Sequence, residues 1–195
     1  VPTNLEDAMS TVVDQIERAI DATAGIVNAI GEDQLGLPSP CAGWDLRTEL
    51  NHLVGGMRIF TAELTGTAAG AEHEADWLGA DPWAAYARAA ADDRQAWRAP
   101  GALDRTVHIS LGALPGPMAA VIHLTEVLVH GVDLAVVIGR EDLADDQQCK
   151  ELLVVMHEIG GVDPYRVPGV FGPEVTAPDG APAHRQLLAY LGRTI

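Results

Sequence analysis

The segment HLTEVLVHGVDLA, residues 123–135, sets His123, Glu126, His130 and Asp133 at spacings of three, four and three inside an otherwise apolar helical stretch. At about 100° per residue these steps return to one helical stripe about 80° wide. Val127, Leu128, Val129 and Leu134 lie off that stripe, so it is not simply the wet side of an amphipathic helix. Burying such groups without partners costs several kcal/mol. Other parts of the chain have to satisfy them.

Apolar spacing elsewhere supplies the helices that can do so. Leu5, Met9, Val12, Ile16, Ile20, Val27 and Ile30 predict a first helix over 4–30, with Gly31 as its stop. The loop GLPSPCAGW follows, and Asp45 reads as the N-cap of a second helix, although Thr48 does not complete a capping box. Leu46, Leu50, Leu53, Met57, Phe60 and Leu64 alternate fours and threes up to Gly66, the stripe of a bundle helix. Residues 67–80 lack a period and read as a loop. Asp81 and Pro82 open a third helix that Pro100 and Gly101 close. RTVHIS, 105–110, alternates like a short strand or one arm of a β hairpin, LPGP reads as a turn, and Pro117 starts a fourth helix that runs to about Ile138. A fifth helix is expected over 144–159 and a short one over 183–191, within an irregular extension covering about 160–195. The fold class is all-α: an up-and-down four-helix bundle with a C-terminal helical wrap, one domain over 1–195.

Charge narrows the partners. Twelve basic against 28 acidic residues give a net charge of −16. That sign opposes binding to nucleic acid or an anionic lipid surface. No run approaches 18 consecutive apolar residues, and the N-terminal VPTNLEDAMS has no signal-peptide pattern, so a cytoplasmic protein without a membrane span is expected. Cys41 and Cys149 are too few for a disulfide framework or a cysteine-rich zinc site.

Glu126 and His130 form an E-x-x-x-H pair on one helix face, a spacing at which two side chains can reach one ion. The same spacing also serves as a solvated pair or an i, i+4 hydrogen bond. In a bundle the remaining ligands come from another helix, and His52 in NHLVGG is the best supplier. Gly55 and Gly56 beside it each cost about 1 kcal/mol against alanine in a helix. They make sense where a backbone or a ligand comes close.

SPCAGWDLRTELNHLVGG and LTEVLVHGVDLAVVIGRE together resemble the N-terminal metal-binding domain of mycothiol-dependent maleylpyruvate isomerases, and more broadly the DinB/YfiT-like helical bundles of actinobacteria. FGPEVTAPDGAPAHRQLLAYLGR is similar to the tail of their single-domain branch. The resemblance implies that His52, Glu126 and His130 are the three protein ligands of a divalent metal, usually zinc, with nickel able to occupy the same imidazole site. It implies a low-molecular-weight thiol such as mycothiol as cosubstrate; Gly55 and Gly56, by their cost in a helix, and Cys41, by its place before a helix N-terminus, are the candidate residues beside it. The isomerases carry a second, C-terminal domain that contributes to their activity; 195 residues leave no room for it, so the isomerase reaction is not carried over.

Several other residues admit more than one role. His123 reads as a fourth ligand, a proton carrier at the mouth, or a polar residue near an exposed helix end. Asp133 reads as the partner of the second His130 nitrogen or as the partner of an arginine such as Arg47 or Arg58. Both are the candidates for a catalytic role. Cys41 reads as a buried structural thiol or as one whose pKa a helix N-terminus lowers. Trp44 should pack against the start of the second helix, and His108 should lie on the outer face of its strand. His73, His157 and His184 fall in no constellation.

Three protein ligands leave one position open on a tetrahedral ion. A thiol held there as a metal-bound thiolate makes a transferase, whereas water at lowered pKa makes a hydrolase. A metal-dependent binding or stress-response module without turnover is the third reading. The resemblance favours the transferase, acting on a small molecule as monomer or homodimer. Its pocket is expected beside the metal, lined by His52, Gly56, His123 and His130, covered by residues 66–80, with Trp77 or Trp83 at the rim.

Overall fold

The structure, a computed structural model, describes residues 5–67, 75–167 and 170–194, with side chains from residue 12 onward. Four long helices build the body: α1 (Leu5–Ala29), α2 (Leu46–Thr65), α3 (Pro82–Arg98) and α4 (Gly116–Val137). Their ends follow from local chemistry. The Asp45 carboxylate accepts from the Thr48 amide at 2.7 Å and from its hydroxyl at 2.6 Å, which satisfies free donors at the start of α2. Asp81 does the same for Ala84 at 2.9 Å, with Pro82 in the first turn. Gly66 ends α2 in the left-handed region, at φ 73°.

The packing partners give a ring order. α1 lies against α4 and α3, and α2 lies against α3 and α4. Going round the bundle the order is therefore α1–α4–α2–α3, and α1 and α2, consecutive in sequence, sit across the diagonal. This order makes α2 and α4 neighbours. Ile16, Ile20, Leu46, Leu50, Met57, Leu128 and Leu134 fill the centre at under 2% exposure. Each such side chain contributes roughly 1.5–3 kcal/mol by leaving water. α1 and α4 close tightly because residue 131 is glycine: a Cβ there would run into the Thr23 hydroxyl. α4 is long and apolar enough to cross a membrane by length and composition, but 67% of its most apolar stretch is buried inside the bundle.

Between α3 and α4, β1 (Thr106–Ile109) and β2 (Gly112–Pro115) form an antiparallel hairpin in which Thr106 faces Pro115 and Ile109 faces Gly112. LPGP is thus not a turn. Leu114 and Pro115 pair as strand, and the turn falls at Ser110 and Leu111, ahead of Gly112 at φ 105°. A proline at the end of an edge strand is tolerated because no ladder donor is needed there.

The C-terminal part wraps the body. A 3-10 turn at Glu141–Leu143 leads to α5 (Asp146–Glu158), and after a second 3-10 turn at Asp163–Tyr165 the chain reaches α6 (Ala183–Tyr190). α5 packs on α6, and α6 on α4. Charged clamps hold the wrap in place. The Arg18 guanidinium donates to Asp145, and Arg185 donates to both Glu141 oxygens at 2.7 Å.

Candidate metal centre

α2 and α4 bring His52, Glu126 and His130 together. Glu126 Oε2 lies 3.1 Å from His52 Nε2 and 3.4 Å from His130 Nε2. One donor atom from each of the three lies within 4.8 Å of the others. Zinc–nitrogen and zinc–oxygen bonds of 2.0–2.2 Å put neighbouring donors of a tetrahedron about 3.3 Å apart. The chain's own donors therefore fit a divalent cation with small side-chain adjustments. The His52 and Glu126 side chains are 25% and 37% exposed while that of His130 is 8% exposed, so the group is reached from the Glu126 side.

Electrostatics favours a cation here. Burial would raise the Glu126 carboxyl, but hydrogen bonds from His130 and His52 outweigh it and hold the group far below the carboxylate range. Burial likewise opposes charge on His130, yet Cys41, Glu126 and Glu49 raise its pKa well above 6.5. Surroundings that favour positive charge on the His130 ring favour a metal cation beside it.

The other His130 nitrogen decides how the ring sits. Nδ1 lies 2.8 Å from Glu49 Oε1, and Glu49 is fully buried. A carboxylate on the far nitrogen fixes tautomer and orientation, leaving Nε2 for Glu126 and a cation. Asp133, one of whose two expected partners is this nitrogen, lies 3.7 Å from Nδ1. Asp133 instead accepts from Arg193 Nε at 3.2 Å. Neither Arg47 nor Arg58 is its partner: Arg47 bonds Gly79 and Asp76, and Arg58 stacks over Trp77. Burial, then the Glu49 charge, pushes the Asp133 carboxyl up to about 7, against Arg193 and His130. Glu49 was legible in principle. It sits among Leu46, Leu50 and Leu53, a carboxylate inside the apolar stripe of its own helix.

His123 is not at the mouth. It is 1% exposed, its Nε2 lies 2.7 Å from Asp93 Oδ2, and its ring packs 4.5 Å from Phe60 and 5.5 Å from Trp97 between centroids. The expected lining therefore loses one member. Gly56 faces open space, where an added Cβ would meet nothing within 4 Å, and Gly55 is buried. Trp44 does more than pack at the start of α2: its ring centroid lies 4.9 Å from that of His52 and 6.0 Å from that of His130. Residues 75–79 are tied down onto α2, since Asn51 donates to Ala75 O at 2.9 Å and accepts from the Trp77 amide at 2.8 Å. Residues 68–74 of the expected cover, with His73, lie outside the described residues. Trp83 packs against the core.

Cys41 comes to the rear of His130. Its sulfur lies 3.7 Å from Glu49 Oε1, 3.8 Å from Asp133 Oδ2 and 4.0 Å from His130 Nδ1, and the residue is partly exposed. Cys149 is fully buried, and burial pushes its thiol up to about 12. His184 does have a constellation: its ring nitrogens lie 2.9 Å from Asp146 and 2.9 Å from Glu141. His108 is exposed on β1 and bonded to Glu63, and His157 lies against Tyr190.

Residues 16–135, which span α2 to α4 and most of α1, match the family described as mycothiol maleylpyruvate isomerase N-terminal domain. Over 180 residues, 92% of this chain, it is 33% identical to uncharacterized proteins from two strains of Mycobacterium tuberculosis and covers 96% of each. No solved structure matches the chain significantly. With the match running through both helices that carry the His52, Glu126 and His130 group, the chain belongs to the mycothiol maleylpyruvate isomerase N-terminal domain family.

Proposed function

We propose that the chain binds a divalent cation, zinc in the first instance, through His52, Glu126 and His130, and works with it as a transferase that uses a low-molecular-weight thiol of the mycothiol kind. The observation that carries the reading is the convergence of three donors from α2 and α4 within 4.8 Å, with Glu126 still 37% exposed. Three protein donors are the catalytic rather than the closed structural number. The cation, when bound, supplies a Lewis acid that favours the thiolate form of an added thiol. The chain's residues do the rest. Glu126 brings the negative charge, Glu49 holds the proton on His130 Nδ1, Trp44 covers the two imidazoles on one side, and Gly56 leaves room beside them. The family name supports a mycothiol-linked thiol over other cosubstrates.

The test is metal analysis of protein made without a histidine tag, followed by titration of the cobalt-substituted chain with mycothiol. Sulfur-to-cobalt charge-transfer absorbance should grow with added thiol, and Glu126→Ala should show no thiol-dependent growth. A cobalt-loaded chain in which no thiol changes the spectrum would turn the reading to a hydrolase or to a binding module without turnover.

A further inference from the structure

We propose a second cation site on the far side of the His130 ring, formed by Cys41, Glu49, Asp133 and His130 Nδ1. One donor atom from each of these four residues lies within 4.8 Å of the others. The sulfur distances of 3.7, 3.8 and 4.0 Å are close to those of a tetrahedral zinc-type site, in which a thiolate and a nitrogen or oxygen ligand stand about 3.6 Å apart. The mixture of sulfur, nitrogen and oxygen suits zinc and cobalt rather than magnesium or calcium.

A second observation points the same way. Glu49 and Asp133 are both fully buried; Glu49 Oε1 and Asp133 Oδ2 face Cys41 and His130, and the second oxygen of each, Oε2 and Oδ1, has no hydrogen-bond partner, so either carboxylate could bind a cation through both oxygens. Buried carboxylate oxygens are costly to leave unpaired. Arg193 supplies one positive charge through Asp133 Oδ2. A cation at the cluster would give both carboxyl groups a further partner. Its binding releases the Cys41 thiol proton and the remaining ring proton of His130, because the shared imidazole then serves both ions. Four protein ligands close this site, whereas the His52 site has three. Cys41 lies in the same loop as Trp44, so the closed site would pin the loop that covers the open one.

The experiment is cobalt loading of the untagged full chain with no thiol added. The wild type should take up two equivalents and show a sulfur-to-cobalt charge-transfer band that comes from Cys41. His52→Ala should take up one equivalent and keep the band, while Cys41→Ser should take up one and lose it. Alkylation of Cys41 in the wild type should slow more than tenfold on cobalt loading, a measurement that requires no variant to fold. One equivalent in the wild type with no band, and a Cys41 alkylation rate unchanged by cobalt, would overturn the proposal and leave the three-residue site intact. A His52→Ala chain that binds as tightly as the wild type and keeps the band would instead overturn the three-residue site alone.

Discussion

Seven residues apart on α4, His123 and His130 each meet a carboxylate, yet the two meetings have little else in common. His123 and Asp93 are 1% and 0% exposed and walled by Phe60 and Trp97. His130 shares Glu126 with His52, and that carboxylate keeps 37% of its surface in solvent. The first pair holds α3 to α4 in a dry interior. The second gathers donors where a cation and a ligand can arrive. Both are histidines on one stripe of α4, so the environment of the carboxylate separates a structural pair from a ligand set.

The contrast is most easily broken through Asp93. Asp93→Ala strands His123 among aromatic rings and should cost about 3–5 kcal/mol of stability, read from denaturant unfolding, while cation content stays at the wild-type level. Glu126→Ala should do the reverse. The cation-free chain should change by less than about 1 kcal/mol, because Glu126 is itself 37% exposed and His130 keeps Glu49, and cation uptake at the His52 site should fail. Equal stability losses in the two variants would erase the distinction.

A smaller effect tests what stands behind the ligands. Glu49→Gln keeps the shape but weakens the hold on His130 Nδ1, and should lower affinity at the His52 site about 10–100-fold in competition with a chromophoric chelator. Affinity within twofold of the wild type would show that the ring needs no such partner.

The smallest effect belongs to a third histidine–carboxylate contact, at the edge of the bundle. Arg185 holds Glu141 down to about 2, against burial and with help from His184. A carboxyl depressed in the folded state contributes stability in full above its ordinary value of 4.5 and loses it as the pH falls toward 2. Amide exchange in α6 should therefore accelerate across that window while exchange in α2 and α4 does not, and Glu141→Gln should flatten the dependence. Equal acceleration in all three helices would mean that the wrap and the bundle open as one unit.

Much of this was legible in sequence because it is local. Caps at Asp45 and Asp81, apolar spacing along α2 and the i, i+4 pair Glu126–His130 all lie within a few residues of one another. Matching motifs in the family resemblance then joined His52 to that pair. What stayed hidden depends on approaches between distant segments. Arg193 reaches Asp133 across 60 residues, and no spacing rule ties them. Asp93 stands next to the exposed Asp92 and reads as part of a charged surface run until α3 is rotated against α4. Leu114 and Pro115 look like a turn because proline and glycine crowd together there, and only the register of β2 moves the turn to Ser110 and Leu111.

The diagonal placement of α1 and α2 has a consequence in time. His52 and Glu126 stand 74 residues apart, with all of α3 and the hairpin between them. A chain emerging from synthesis in N-to-C order has α1, α2 and α3 long before α4 exists. Throughout that interval His52 is a single imidazole on one helix, too weak alone to retain a cation against the buffering of a cell. At the proposed site a cation would load only once the last helix of the bundle has docked, onto a finished fold rather than a folding chain.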